Sequence, residues 1–181
     1  LNKKAVILAV LFLVGLFVVV MSIKKEERPE MRPAPEGGIA VGRPASNFLV
    51  QDLEGRTYSL SALSGSVVFI NFWASWCQPC KEEMPSLQAL YNRFKGDPRF
   101  RLVTILYRDD YEKARALMKT GNFEFPVLLD PGGKSAAAYG VTGVPETYIV
   151  DKKGILREKV IGPADWNSPQ AIAVVATPLQ E

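Results

Sequence analysis

Val67-Val68-Phe69-Ile70-Asn71-Phe72-Trp73-Ala74-Ser75-Trp76-Cys77-Gln78-Pro79-Cys80-Lys81 runs from an apolar segment into a pair of cysteines two residues apart. Val67 to Trp73 reads as a buried strand. Beyond Lys81, Met84, Leu87, Leu90, Tyr91 and Phe94 recur at three- and four-residue spacing, which predicts an amphipathic helix. The first cysteine therefore falls at a helix N-terminus. Unpaired backbone N–H groups and the helix dipole at that end favour a thiolate over a thiol. The physics points to a thiol–disulfide exchange centre.

The gross features narrow the alternatives. The chain has 181 residues, 48% of them hydrophobic, and a net charge of +3. That length fits one domain with an appendage. The charge is too small to argue for nucleic acid, and no basic patch alternates with aromatics. Cys77 and Cys80 are the only cysteines, and histidine is absent. Cys/His zinc sites and Cys–His catalysis are thereby excluded, and a zinc site would need two further good ligands. Neither metal nor cofactor is expected beyond the cysteine pair itself.

Ala5 to Ile23 is an uninterrupted apolar run of about 19 residues, near the length that spans a bilayer as a helix. No small-X-small cleavage site comes after it, so residues 1–23 read as an uncleaved membrane anchor, with a cleaved signal as the lesser alternative. Basic residues flank the run on both sides, which leaves orientation unsettled by charge. A single anchor with a short N-terminal head usually exports the remainder of its chain, and that is the adopted expectation. Residues 24–40, rich in Pro, Gly and charge, read as an extended tether. The folded domain is expected over 41–181.

Asn71-Phe72-Trp73-Ala74-Ser75-Trp76-Cys77-Gln78-Pro79-Cys80-Lys81-Glu82-Glu83-Met84-Pro85 resembles the thioredoxin superfamily, and more narrowly its membrane-anchored TlpA/ResA/CcmG group. The resemblance covers about residues 40 to 176, and the anchor fits it too. It implies Cys77 as nucleophile and Cys80, one helical turn inward, as resolving thiol. Pro79 lies in the first helical turn, where its missing N–H costs nothing. Pro85 is expected to kink the helix. Trp73 and Trp76 bring apolar surface beside the sulfurs. Core packing explains Trp73 equally well, whereas Trp76 lies in a turn expected at the surface and is taken as a substrate contact.

Thioredoxin carries a buried Asp where Asn71 stands here, and an amide cannot accept a thiol proton. Glu83, three residues after Cys80, is the candidate replacement; an exposed helix glutamate is the ordinary alternative. A carboxylate there would raise the thiol pKa values and could relay a proton. Glu82 reads as the ordinary exposed case.

Further along, Asn47–Gln51 and Arg56–Leu60 predict a hairpin around Asp52–Gly55, with a short turn at Ser61–Gly65. Phe100–Leu106 reads as a second central strand. Asp109 and Asp110 are placed to cap a helix carrying Tyr111, Ala114, Leu117 and Met118 on one face, stopped by Gly121-Asn122. A short strand at Phe125–Asp130 and a short helix at Lys134–Tyr139 form an insertion resembling that of the TlpA/ResA group. Gly143-Val144-Pro145-Glu146-Thr147 resembles the superfamily's cis-proline loop. That likeness implies a Val144–Pro145 bond in cis against the cysteines, with Val144 offering backbone groups to an extended substrate. Glu146, by likeness to CcmG, is expected as a second acid facing the site. Thr147–Val150 and Ile155–Ile161 predict a hairpin. Ser168-Pro169 predicts the start of a final helix that stops before Pro178. The expected fold is α/β and thioredoxin-like: a mixed sheet with helices on both faces.

The leading functional expectation is an anchored thiol–disulfide oxidoreductase acting as a reductant on the extracytoplasmic side of a bacterial membrane. By family resemblance its protein substrate would be the haem-binding cysteines of apocytochrome c. Its electrons would come from a membrane thiol carrier of the DsbD/CcdA type. A disulfide oxidant uses the same atoms in reverse. A redox-inactive binding module is the third class. A peroxidase is disfavoured, because Ala74 stands where a threonine is expected three residues before the reactive cysteine.

Overall fold

The computed structural model describes residues 39–181. The expected anchor, and almost all of the expected tether, lie outside the described residues. Among the described residues no helix is long and apolar enough to cross a membrane.

β1 (Leu49–Gln51) and β2 (Thr57–Ser59) form the expected antiparallel hairpin. Gly55 closes its turn at φ 78°, a backbone conformation that glycine adopts without strain. A single 3-10 turn at Ser61–Leu63 leads into β3 (Val67–Trp73). α1 (Gln78–Phe94) follows and runs unbroken through Pro85. β4 (Phe100–Leu106) leads to α2 (Tyr111–Thr120), whose Asp110 cap accepts the N–H groups of Glu112 at 2.8 Å and Lys113 at 3.2 Å. β5 (Val127–Leu129) and α3 (Lys134–Ala138) make up the insertion. β6 (Glu146–Val150), β7 (Leu156–Ile161) and α4 (Pro169–Gln180) complete the described chain.

The seven strands form one sheet in the order β2-β1-β5-β4-β3-β6-β7. β3, β4 and β5 are parallel, and β6 runs antiparallel to β3. β3 is central, and all of its residues are buried. Side chains alternate across the sheet. Val67, Phe69 and Trp73 pack on one face with Met84, Leu87 and Leu90 of α1, Ala114 and Met118 of α2, and Val175 and Leu179 of α4. Val68, Ile70 and Phe72 pack on the other with Phe48, Ala136, Tyr139 and Tyr148. Each fully buried Val, Leu, Ile, Phe or Met among them contributes about 1.5–3 kcal/mol. A sheet apolar on both faces needs cover on both, and α3 with the 3-10 turn covers the second.

Several strand and helix ends fall one or two residues inside the expected limits, and the end of the last helix falls beyond its expected stop. α4 does not stop before Pro178 but continues to Gln180, with Pro178 and Leu179 buried. A proline there removes one helical hydrogen bond and crowds the preceding turn, and burial of Pro178 and Leu179 offsets that cost. The Leu179 carbonyl left at the helix end accepts from Arg99 Nη1 at 3.2 Å and Lys152 Nζ at 3.3 Å.

Candidate active site

Cys77 is the N-cap of α1, with extended backbone (φ −85°, ψ 111°), and Pro79 follows in the first turn. Its Sγ accepts the N–H of Cys80 at 3.2 Å. A sulfur in that position feels both a donated hydrogen bond and the positive end of the helix. Cys77 and Cys80 are joined as a disulfide, with Cα atoms 5.3 Å apart. Cys80 has no exposed surface, as a resolving thiol one turn inward requires. Cys77, although it stands at the helix start, is only 4% exposed. The reason lies across the sulfur: the Val144 carbonyl oxygen sits 3.4 Å from Cys77 Sγ.

The Val144–Pro145 peptide is cis, and the Pro145 carbonyl accepts the Gly162 N–H at 2.9 Å. This loop and the cysteines, 67 residues apart in sequence, are thus in direct contact. Trp76 is 58% exposed beside Cys77, and its indole N–H donates to the Arg108 carbonyl at 3.3 Å. The Ser75 N–H donates to the Asp109 carboxylate. Asp109 therefore holds the cysteine turn, while Asp110 alone caps α2. Trp73 is buried in the core.

Glu83 is 3% exposed, not the ordinary surface glutamate. Its Oε1 accepts from Asn71 Nδ2 at 3.0 Å. Its Oε2 accepts from the Ala164 N–H at 3.2 Å and Trp166 Nε1 at 3.1 Å. Burial pushes the Glu83 carboxyl above the usual carboxylate range, and these neutral donors pull it only part of the way back. Glu83 also lines an open cleft of about 350 Å³ with Ser86, Pro163 and Asp165. The arrangement can hold a proton one helical turn from Cys80.

Asn71, read from sequence only as a lost acid, is the group that orients the acid from the helix. Its Nδ2 also lies 3.0 Å from Thr147 Oγ1, while its Oδ1 is buried without a partner. Strand alternation foretells this contact, since residue 71 shares a face with 69 and 73 and so looks toward α1. Trp166 and Ala164 had no such signal; they lie more than 80 residues from Glu83 in sequence.

Glu146 is placed differently from the expectation. The carboxylate is 3% exposed and so is not a surface contact for substrate. In β6 the side chains of Glu146 and Tyr148 leave the sheet on the face away from α1, while Thr147 points toward Asn71. Of the two expected acids, only Glu83 shares the face of the helix that carries the cysteines. Glu146 instead accepts from Tyr148 Oη at 2.6 Å and from the Thr142 N–H at 3.4 Å.

Comparison with known proteins agrees with this geometry. Residues 41–159 match the AhpC/TSA family. The thiol-disulfide oxidoreductase ResA of Bacillus cereus is 39% identical over 123 residues, 67% of this chain and 70% of that protein. A putative protein disulfide isomerase from Bacteroides thetaiotaomicron superposes with a TM-score of 0.72 at 26% identity, over 79% of this chain and 92% of that one. A putative thiol:disulfide interchange protein DsbE from Chlorobium tepidum gives 0.65 at 26% identity, over 79% and 97%. With its cysteine pair joined at the head of α1, the chain belongs to the thioredoxin-like AhpC/TSA family and is a thiol–disulfide oxidoreductase similar to ResA.

Proposed function

We propose that this chain reduces disulfides of protein substrates outside the cytoplasm, held at the membrane by residues 1–23. One observation carries the chemistry: Cys77 Sγ takes the Cys80 N–H at the start of α1 while facing the Val144 carbonyl. In the reduced protein the Cys77 thiolate attacks one sulfur of the substrate disulfide. That bond breaks, a mixed disulfide forms, and the first substrate sulfur leaves as a thiolate that takes a proton from water. Cys80 then attacks Cys77 Sγ, closes the internal disulfide and releases the second thiol. Two electrons pass from the enzyme dithiol to the substrate. Glu83 takes the Cys80 proton as that thiol becomes a nucleophile, and the cleft beside it returns the proton to water. The Val144–Pro145 loop binds an extended substrate segment by strand addition, with Trp76 as the apolar contact at its side.

The family resemblance nominates the haem-binding cysteines of apocytochrome c as substrate, and a DsbD/CcdA-type thiol carrier as electron donor. Trapping with Cys80→Ala tests both. The variant leaves the partner on Cys77 as a stable mixed disulfide, to be identified by mass spectrometry. An apocytochrome c or another exported disulfide protein is the expected catch. Absence of any Cys77-linked partner under oxidising growth would remove the reading. Protease added outside intact spheroplasts should digest the domain, and protection there would overturn the stated side.

The reverse direction remains the second reading, because only one of the two expected acids shares the face that carries the sulfurs. Related centres span roughly −270 to −120 mV. A potential near the upper end would make this chain an oxidant.

A further inference from the structure

We propose that Lys159 and Tyr148 are positioning residues that set the Thr142–Pro145 loop, acting through Glu146. The inference rests on the reading of that loop as the substrate-binding strand. It starts from a carboxylate that burial alone makes unfavourable. β6 and β7 pair in a register that puts Tyr148 opposite Lys159 and Glu146 opposite Ile161. Tyr148 and Lys159 therefore share a face with Glu146, two residues away along the strand. Lys159 Nζ lies 3.7 Å from Glu146 Oε2 and 5.2 Å from the centre of the Tyr148 ring. Tyr148 Oη lies 2.6 Å from the same Oε2 and 2.9 Å from the Tyr139 carbonyl oxygen.

With Oε2 so occupied, Oε1 faces the loop and accepts the Thr142 N–H at 3.4 Å. The other end of the loop is tied independently, by the Gly162 N–H on the Pro145 carbonyl at 2.9 Å. Both ties lead back to β7 and the residue immediately after it. The edge strand thus holds the loop at two points, and one of them passes through a cation, a carboxylate and a backbone amide. Lys159 touches neither the sulfurs nor the Val144 backbone that would pair with substrate, so its effect should fall on binding and not on thiol chemistry.

The test compares two disulfides in single-turnover reactions of the pre-reduced full chain. Insulin serves as the protein disulfide and needs the loop. The aromatic disulfide of Ellman's reagent reports the reactivity of Cys77 without it. Lys159→Met and Tyr148→Phe should each raise the half-saturating insulin concentration about tenfold, with the limiting rate and the small-disulfide rate held, as expected for a misplaced binding element. Lys159→Arg, which keeps the charge, should restore most of the loss. Equal losses on both disulfides, no loss on either, or failure of Lys159→Arg to rescue would each overturn the inference. Val144→Lys separates the two levels of argument. If it impairs insulin reduction while Lys159→Met does not, the inference falls and the loop reading stands. If Val144→Lys leaves insulin reduction intact, the loop reading falls and takes the inference with it.

Discussion

Two buried carboxylates lie on opposite sides of the same sheet, one on helix α1 and one on strand β6, and they are held differently. Glu83, on the face of α1, has Asn71, Ala164 and Trp166 as donors, all of them neutral. Among the described residues no cation pairs with it. Glu146, on the face of α3, has a tyrosine hydroxyl and the Lys159 ammonium beside it. The contrast separates two uses of burial. A carboxyl held by neutral donors is pushed up, so it keeps its proton to a higher pH than a surface glutamate does. A carboxylate faced by a cation is fitted to hold a backbone in place. Position relative to the sulfurs agrees, because only the first lies on the helix that carries Cys80.

The sharpest way to break this contrast is to neutralise each acid in turn. Glu83→Gln should lower the limiting rate of disulfide exchange by about 100-fold, the usual scale for loss of a general acid–base. Its pH–rate profile should also lose an ionisation lying above the ordinary carboxylate range. Glu146→Gln should act on half-saturation and leave that profile in place. Equal effects on the limiting rate would erase the distinction.

Asn71→Ala comes next. It strips Glu83 of one donor and Thr147 of its partner, and should cost about 1–3 kcal/mol of stability in urea denaturation. It should also push the Glu83 ionisation further up in the kinetic profile. Trp166→Phe removes a single hydrogen bond at 3.1 Å while keeping most of the ring in the core, where it packs edge-on against Phe69. About 1 kcal/mol is expected. The kinetic ionisation should move in the same direction as for Asn71→Ala, and less far.

The smallest effect is a slope. The folded chain keeps the Glu83 proton to a higher pH than the unfolded chain does, so the unfolded state binds fewer protons between the two values. Stability contributed by this group is therefore greatest below the unfolded carboxylate value and falls as pH rises toward the folded one. Glu83→Gln should flatten that part of the stability–pH curve. A wild-type curve that rises through the same window, with no matching change in the variant, would contradict the assignment.

Much of the fold was legible in the residues alone. Strand β3 announced itself through seven consecutive residues with no charge among them, and α1 through its apolar spacing. Local geometry does the deciding there, since a buried strand and an amphipathic helix carry their own periods. The N-caps at Asp110 and Ser168 were readable for the same reason. The end of α4 was not, because a buried Leu179 and two cations from distant segments override what Pro178 suggests locally.

Residue order was enough to establish the chemistry: two cysteines at a helix start with no histidine, and a motif long enough to name a superfamily. The division of labour between the acids came from packing across the sheet. Glu83 needed Asn71 from β3 and Trp166 from beyond β7 to become a buried, proton-holding group. Glu146, although next to the loop in sequence, was turned to the far side by the two-residue alternation of its strand. Which face a strand side chain takes follows from sheet register, and register is set by partners that lie far away along the chain.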